Sequence, residues 1–107
     1  MAVTKADLFE QQEKRLAEIA KAISHPARIA ILKHLSQGQC VCGDITHELP
    51  LAQSTVSQHL KALKNAGLIH GKIKGIKVCY CLNPKTIREA RFLADDFFEN
   101  LNIEHYC

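Results

Sequence analysis

Apolar positions recur every three or four residues through most of the chain and predict several helices. A first helix is expected over about 7–23 and a second over about 26–36, opened by a proline that suits the first turn of a helix. A short helix over 44–49 follows. The next helix begins at Gln53 or Ser54, and the Ser54 hydroxyl is expected to cap it by accepting a backbone hydrogen bond.

The period of the apolar pattern changes to two beyond Gly67, which lies where a helix commonly ends on a left-handed residue. Residues 68–69 and 76–82 predict a β-hairpin with Gly75 in its turn. A last helix begins at Pro84. Its apolar stripe consists of Ile87, Ala90, Ala94, Phe97 and Leu101.

This order of elements predicts a mainly α fold with a small β-hairpin wing. A short helix, a tight turn and a second helix, followed by a basic hairpin, make a winged helix-turn-helix. The 107 residues suffice for one domain, 1–107. The apolar stripe is wide for a terminal helix on so small a domain. We therefore expect it to pack against the first helix of a second copy, in a homodimer.

The composition argues against membrane insertion or secretion. No apolar run approaches the roughly 18 residues of a membrane span, and no signal-peptide stretch follows the first residues. We therefore expect a cytoplasmic protein without membrane contact. Because thiols stay reduced in that compartment, the five cysteines indicate metal or redox chemistry rather than a disulfide framework.

The net charge of +3 is unevenly distributed along the chain. Residues 1–48 carry six basic and six acidic side chains, and residues 87–107 carry two basic and five acidic ones. Residues 49–86 carry six lysines and no acid. A basic segment without acids is typical of a phosphate-binding face, such as one that binds DNA. The plainer alternative is a solvated lysine face.

The helix that begins near residue 53 and the hairpin after it carry the side chains expected of a DNA reader. Glutamine and serine can hydrogen-bond base edges in the major groove, and lysine suits phosphates. The alternative is that these polar residues are the wet side of an amphipathic helix. The candidate DNA-binding residues are Gln53, Ser54, Thr55, Ser57, Gln58, His59, Lys61, Lys64, Lys72, Lys74 and Lys77.

Four of the five cysteines form two Cys-x-Cys pairs, Cys40/Cys42 and Cys79/Cys81. In a strand, residues i and i+2 point to one face, and the short segment before the helix-turn-helix is expected to pair with the second wing strand. Four sulfurs would then lie together. Soft thiolates select ions such as As(III), Sb(III), Cu(I), Cd(II) or Zn(II). Cys107 is a weaker candidate ligand. The alternative is that some of these cysteines are buried and inert.

Several motifs resemble the ArsR/SmtB family of arsenic- and metal-responsive repressors. They are HPAR at 25–28, QSTVSQHLKAL at 53–63, AGLI at 66–69 and the wing exit at 80–84. The resemblance covers roughly residues 15–85. It implies a homodimer whose first and last helices form the interface, and operator binding that an inducer weakens.

The segment Cys40-Val41-Cys42 resembles the metal box of that family, in which Cys-Val-Cys is followed directly by Asp and Leu, often with a third Cys. Here Gly43 intervenes before the aspartate. A complete three-thiol site is therefore not carried over, and the further ligands must come from elsewhere in the chain, with Cys79 and Cys81 as the candidates.

The function expected from these features is a repressor that binds double-stranded operator DNA as a dimer. It would need no obligatory cofactor and would be released when a thiophilic inducer, foremost As(III), binds cysteine thiolates. The nearest alternative is the same DNA reader with a redox or reactive-sulfur sensor. An architectural DNA-binding protein with incidental cysteines is another. A small thiol enzyme such as an arsenate reductase is disfavoured, because no phosphate-cradling loop or nucleophile site is evident, so we expect no enzymatic activity.

Overall fold

The computed structural model describes residues 9–37, 41–42 and 49–104. They form a winged helix-turn-helix in which helices predominate, as predicted. The elements are α1 (Gln11–Ala22), α2 (Pro26–Leu35), β1 (Val41–Cys42), α3 (Gln53–Asn65), β2 (Ile69–Lys74), β3 (Lys77–Leu82) and α4 (Pro84–Glu99). The short helix expected over 44–49 lies outside the described residues, apart from its last position. Among the helices described, none is long and apolar enough to cross a membrane.

The first two helices begin where side chains satisfy the unpaired backbone N–H groups of a helix start. At α1, Glu10 and Glu13 form a capping box, in which the Glu10 N–H donates to the Glu13 carboxylate over 3.0 Å. At α2, Nδ1 of His25 accepts from the Ala27 N–H over 3.0 Å, and Pro26 occupies the first helical position.

Helix α3 begins without a side-chain cap and ends in a regular left-handed turn. Its N-cap is Ala52, with no side-chain cap hydrogen bond, so the expectation that Ser54 caps this helix is wrong. Ser54 instead lies within the first turn. At the other end, Gly67 has φ +85° and the Leu68 N–H donates to the Leu63 carbonyl over 3.0 Å, which is a Schellman motif. The predicted helix end at Gly67 is confirmed.

The three strands form an antiparallel sheet in the order β1-β3-β2. The hairpin turns at Gly75, whose φ of +63° suits the first central position of a type II′ turn. On the other edge, β1 pairs with β3 and places Cys42 opposite Cys79. The predicted pairing of the short segment with the second wing strand is confirmed.

The core lies between the helices and the root of the hairpin. Ile31, Leu63, Leu68 and Ile69 are its most deeply buried members. Leu93 of α4 is buried in the same cluster, so α4 is an integral part of the fold. Judged from transfer free energies, the burial of one side chain of this size contributes about 1.5–3 kcal/mol to the stability of the fold.

The apolar stripe of α4 is divided between the core and the surface. Ile87 and Ala90 pack against the core of their own chain, so the expectation that the whole stripe faces a second copy is wrong for these two residues. Ala94 is half-buried, and Phe97 and Leu101 are exposed because α4 extends beyond the core. The exposed apolar side chains at this end are Phe9, Phe92, Phe97, Phe98, Leu101 and Ile103.

Candidate nucleic-acid interface and thiol site

Helix α3 presents one apolar and one polar side. Val56, Leu60 and Leu63 are buried at helical spacing and seat the helix on the core. The opposite side carries most of the predicted DNA-binding residues. Gln53, Ser54, Ser57, Gln58, Lys61 and Lys64 are exposed, and Thr55 is half-buried. Two lysines and several hydrogen-bonding groups therefore share one solvent-facing side of this helix.

His59 lies on the buried side of α3, with only 7% of its surface exposed. Nε of Arg28 donates to its Nδ1 over 3.1 Å, and the His25 ring centroid lies 4.4 Å from its own. The Nε2 atom is buried and has no hydrogen-bond partner among the residues that the structure describes. This placement contradicts the expectation that His59 reaches DNA. The residue docks α3 onto α2 instead.

The surroundings of His59 disfavour its protonated form. Burial is the main cause that lowers its pKa, followed by unfavourable electrostatic interactions with the neighbouring His25 and Arg28 side chains. The neutral ring accepts from Arg28 at Nδ1, which leaves its proton on Nε2. A proton added at Nδ1 would break the hydrogen bond and place a second positive charge beside the guanidinium.

Two arginines fasten α3 to the other helices. Arg28 reaches His59 with Nε and the carbonyl oxygens of Lys21 and Ala22, at the end of α1, with Nη1. At the far end of α3, Nη2 of Arg15 donates to the Ala66 carbonyl over 3.1 Å. These arginines were not predicted as functional from the sequence, although the HPAR motif at 25–28 contains Arg28.

Arg15 also joins α1 to α4. Its Nε and Nη2 atoms donate to one carboxylate oxygen of Glu89 over 3.1 and 2.8 Å, and Nη1 donates to Glu18 over 3.1 Å. The hydrogen bond from Arg15 is the main cause that lowers the pKa of Glu89. The C-terminal end of α3 is thus tied to both terminal helices through one guanidinium group.

The two faces of the hairpin carry different side chains. Opposite residues in the antiparallel pairing share a face, so Lys72 shares one face with Cys79, and Ile73 shares the other with Val78. Lys72 and Lys74 are exposed, as a phosphate-binding role requires. Lys77 is paired with Lys74 in the backbone, but its side chain lies outside what the structure describes.

The predicted thiol site is described in part. Cys79 and Cys81 are buried at the root of the wing, and the register places Cys42 opposite Cys79. Cys40, Cys107 and the side chain of Cys42 lie outside the described residues. Within the described ranges, no group of three or more His, Cys, Asp or Glu side chains is placed to hold a metal ion.

Cys79 and Cys81 each take part in a disulfide bond in the structure, whereas the sequence predicts reduced thiols. Strand pairing favours such bonds, because directly opposite Cβ atoms lie about 4.5–5.5 Å apart, close to the separation that a disulfide needs. Ion binding at these two residues therefore requires their reduction first, since the thiolate is the metal ligand.

A cleft separates the polar side of α3 from β3. Its volume is about 340 Å³, and Ser57, Lys61 and Lys64 lie on one side with Tyr80 on the other. Tyr80 belongs to the hairpin face that also carries Ile73 and Val78, because it pairs with Gly71 in the same register. This face of the wing therefore adjoins the lysine-bearing side of α3.

Comparison with known proteins identifies the family. Residues 25–70 match the family model described as bacterial regulatory protein, arsR family. The chain is 38% identical over 90 residues to the uncharacterized HTH-type transcriptional regulator MJ1325 of Methanocaldococcus jannaschii, covering 82% of this chain and 99% of that protein. It is 40% identical over 65 residues to the HTH-type transcriptional repressor SmtB of Mycobacterium tuberculosis, covering 61% of this chain and 48% of that protein.

The regulator CmtR of Mycobacterium tuberculosis matches in sequence and in structure. The two sequences are 37% identical over 73 residues, which cover 68% of this chain and 62% of CmtR. The solved structure, described as the cadmium metal-sensor, superposes with a TM-score of 0.53 at 31% identity, over 85% of this chain and 88% of that one. The chain spans about three fifths of the length of the CmtR sequence. By these matches and by its fold, this chain belongs to the ArsR/SmtB family of winged-helix transcriptional regulators, which are not enzymes.

Proposed function

We propose that this chain is a repressor that binds operator DNA as a homodimer and leaves it when a thiophilic ion binds cysteine thiolates at the root of the wing. The observation that carries this proposal is the β1–β3 register, which sets Cys42 opposite Cys79 in the strand that forms the wing. One strand thus links the candidate ion ligands to the candidate DNA contacts.

The DNA-binding part of the proposal rests on the polar side of α3 and on the wing. Two copies related by a twofold axis would place their α3 helices in successive major grooves, about 34 Å apart. The exposed aromatic residues of α4, among them Phe92 and Phe98, supply an apolar surface that a second copy would cover. Lys61, Lys64 and Lys74 would contact phosphates.

The ion-binding part rests on the donor chemistry. Cys40 and Cys42 are the principal ligands in this proposal, with Cys79 or Cys81 completing the set and Cys107 a weaker contributor. Reduced thiolates of this kind hold As(III), Sb(III) or a soft divalent ion. As(III) is the leading candidate because it favours three sulfurs, and Cd(II) is the first comparison because the relative CmtR is described as a cadmium sensor.

Ion binding would act on DNA affinity through strand β3. Its residues join Cys79 and Cys81 at the root to Lys77 near the tip, so a change in the spacing of β1 and β3 redirects the whole hairpin. A shift that misplaces phosphate contacts in both copies weakens binding. Couplings between two sites are typically about 1–3 kcal/mol, or roughly 5–150-fold in affinity.

Oxidation of the same thiols is the second candidate signal, because Cys79 and Cys81 are disulfide-bonded in the structure. The named relatives favour the ion, since one of them is described as a metal sensor. The two signals separate experimentally, because As(III) acts only on the reduced protein and an oxidant acts without any ion.

The test measures DNA release and ion binding on the same reduced protein. A labelled duplex selected by the protein from a random-sequence pool is titrated by fluorescence anisotropy, with As(III), Cd(II), Zn(II) or an oxidant added. Native mass spectrometry counts the bound ions. We expect As(III) to release wild-type protein but not the Cys40→Ser/Cys42→Ser variant, and it should still release Cys107→Ser, which lacks only the weaker candidate ligand. Release of that double variant by As(III) would place the sensing site elsewhere.

A further inference from the structure

The HPAR motif at 25–28 meets the middle of helix α3 at His59, and the proposed function leaves this contact without a role. Nε of Arg28 donates to Nδ1 of His59 over 3.1 Å, and the centroids of the His25 and His59 rings lie 4.4 Å apart. His59 itself is only 7% exposed. Three side chains that can carry positive charge therefore converge where α2 packs on α3.

Both histidine rings take part in hydrogen bonds as acceptors at Nδ1. His25 accepts from the Ala27 N–H and so caps α2, and His59 accepts from Arg28. A ring nitrogen that accepts a hydrogen bond carries no proton, so each contact needs the neutral form of its ring. A proton added at Nδ1 of His59 would therefore break the hydrogen bond that joins α3 to Arg28.

No negative charge compensates for that proton within the described residues. From α2, His25 and Arg28 act on the His59 ring, and both disfavour its charged form. From α1, Glu18 and Lys21 line a cleft beside Arg28, and both are exposed. Helix α3 and the hairpin contribute no carboxylate, because residues 49–86 contain no acid. A protonated His59 would hold a buried charge without a counterion, which is unfavourable.

Helix α3 is held more firmly at its C-terminal end than at its N-terminal end. At the C-terminal end, Nη2 of Arg15 donates to the Ala66 carbonyl over 3.1 Å. At the N-terminal end, the N-cap Ala52 makes no side-chain cap hydrogen bond. Loss of the hydrogen bond from Arg28 would therefore tilt the N-terminal half of α3 about its C-terminal attachment. That half carries residues 53–58, most of which are exposed candidate DNA contacts.

We infer that His59 is a proton-sensitive positioning residue for α3, and that its protonation weakens the binding of operator DNA in acid. The neutral ring holds α3 against α2 through Arg28, and the protonated ring releases that hold. Hydrogen bonds to base edges depend on the position of α3, whereas a lysine binds phosphate as a point charge and tolerates a shift. Affinity for operator DNA therefore falls in acid, while binding to random DNA persists. This inference rests on the proposed DNA-binding function and adds regulation by pH to it.

The sign of this effect separates it from general electrostatics. Protonation of histidines elsewhere in the chain adds positive charge, which strengthens binding to a polyanion in acid. The His59 contact predicts the opposite sign for operator DNA. Affinity is fully present above the pKa of His59 in the folded protein, which burial lowers below the ordinary histidine value of about 6.5. It is lost as the pH falls through that folded value.

The test measures affinity for a selected and a random duplex by anisotropy between about pH 8 and pH 5, with circular dichroism at each pH to follow folding. Wild type should lose about tenfold in affinity for the selected duplex, as couplings between sites typically do, and keep its affinity for the random one. His59→Asn should remove the loss, because its amide oxygen can accept from Arg28 but takes up no proton. The matched control is His34→Asn, a half-buried histidine in the last turn of α2, which should lose affinity as wild type does.

Nuclear magnetic resonance of the imidazole nitrogens gives a readout on wild type that needs no variant. The His59 ring should take up its proton over the pH range in which operator affinity is lost. A ring that stays neutral there would overturn the inference. So would an operator affinity that is constant or rises in acid, an equal loss in His59→Asn, or unfolding that abolishes binding to both duplexes. These outcomes leave the proposed function standing, whereas equal affinity for selected and random duplexes at neutral pH would remove it, and the inference with it.

Discussion

Helix α3 and the wing form the two halves of the proposed DNA surface, and they are held in opposite ways. Helix α3 packs on the core through Val56 and Leu63, and arginines hold it at its middle and at its C-terminal end. Among the described residues, the wing contacts the rest of the fold at its root, and its tip is exposed. The difference suggests that α3 sets the position of the protein on DNA, while the wing is the part that a change at its root can redirect.

This contrast bears on how a signal would be transmitted. An ion that had to move α3 would have to break buried packing together with the hydrogen bonds of Arg15 and Arg28. An ion bound between β1 and β3 acts directly on the strand that continues into the wing. Moving the wing therefore costs less free energy than moving α3, because local opening is easiest where few buried apolar contacts exist.

The largest effect that tests this contrast is on stability. Leu63→Ala, in the buried seat of α3, is expected to reduce the free energy of unfolding by about 2–5 kcal/mol through lost burial and a residual cavity. Ile76→Ala, at the exposed tip, should change it by less than about 0.5 kcal/mol. Urea denaturation followed by circular dichroism measures both. Similar losses for the two variants would show that the wing tip is packed in solution.

The seat of α3 was predictable from the sequence because it depends on local periodicity. Val56, Leu60 and Leu63 recur at helical spacing, and Gly67 marks the helix end. The pairing of the short segment before the helix-turn-helix with the second wing strand was also predictable, because that pairing belongs to the winged fold. The first feature rests on a local pattern, and the second rests on the order of elements that identifies the fold.

The arginine contacts were not predictable because they join residues far apart in the chain. Arg15 meets Ala66 across 51 positions and Glu89 across 74. The burial of His59 was missed because it is a polar residue next to Leu60, at the edge of the apolar stripe, where periodicity does not decide which way it faces. An arginine donor supplied by another helix makes that burial acceptable.

Gly67 at the end of α3 and Gly75 in the wing turn both have positive φ, so the same substitution can be compared in the two regions. Gly67→Ala at the end of α3 is expected to cost about 1–3 kcal/mol, because φ is +85° and the new Cβ would lie 3.3 Å from the Thr86 hydroxyl. Gly75→Ala in the wing turn has a φ of +63° but meets no atom of the described residues within 4 Å. It should cost less, about 1 kcal/mol. Thermal unfolding ranks the two, and a reversed order would contradict the contrast.

The pH dependence of stability tests how His59 holds α3 on α2. Because the folded pKa of His59 is lowered, the unfolded chain binds its proton more readily. Stability is therefore fully present above the ordinary histidine pKa of about 6.5 and is lost as the pH falls below it, with a slope of at most about 1.4 kcal/mol per pH unit. His59→Phe should flatten this dependence between about pH 7.5 and 5.5. An equal slope in that variant would assign the proton to another group.

The smallest expected effect concerns the ion pair that ties the end of α3 to the terminal helices. Glu89→Gln removes the charge that pairs with Arg15. The pair is partly exposed, so the loss at neutral pH should be about 0.5–1 kcal/mol. The lowered pKa of Glu89 means that this stability is present above the ordinary glutamate pKa of about 4.3 and is lost as the pH falls through the folded value. Wild type and Glu89→Gln should therefore converge in acid.

Asp95→Asn supplies the matched control for that pair. Oδ2 of Asp95 lies 3.7 Å from Nε of Arg91 within α4, and both side chains are largely exposed. Loss of the Asp95 charge should therefore have no measurable effect on the free energy of unfolding. Arg15 also holds the Ala66 carbonyl, which Glu89→Gln leaves in place. Arg15→Met should therefore cost more than Glu89→Gln, and the excess measures the tie to α3. If the two variants are equally stable, the guanidinium holds the terminal helices to each other but contributes nothing to seating α3.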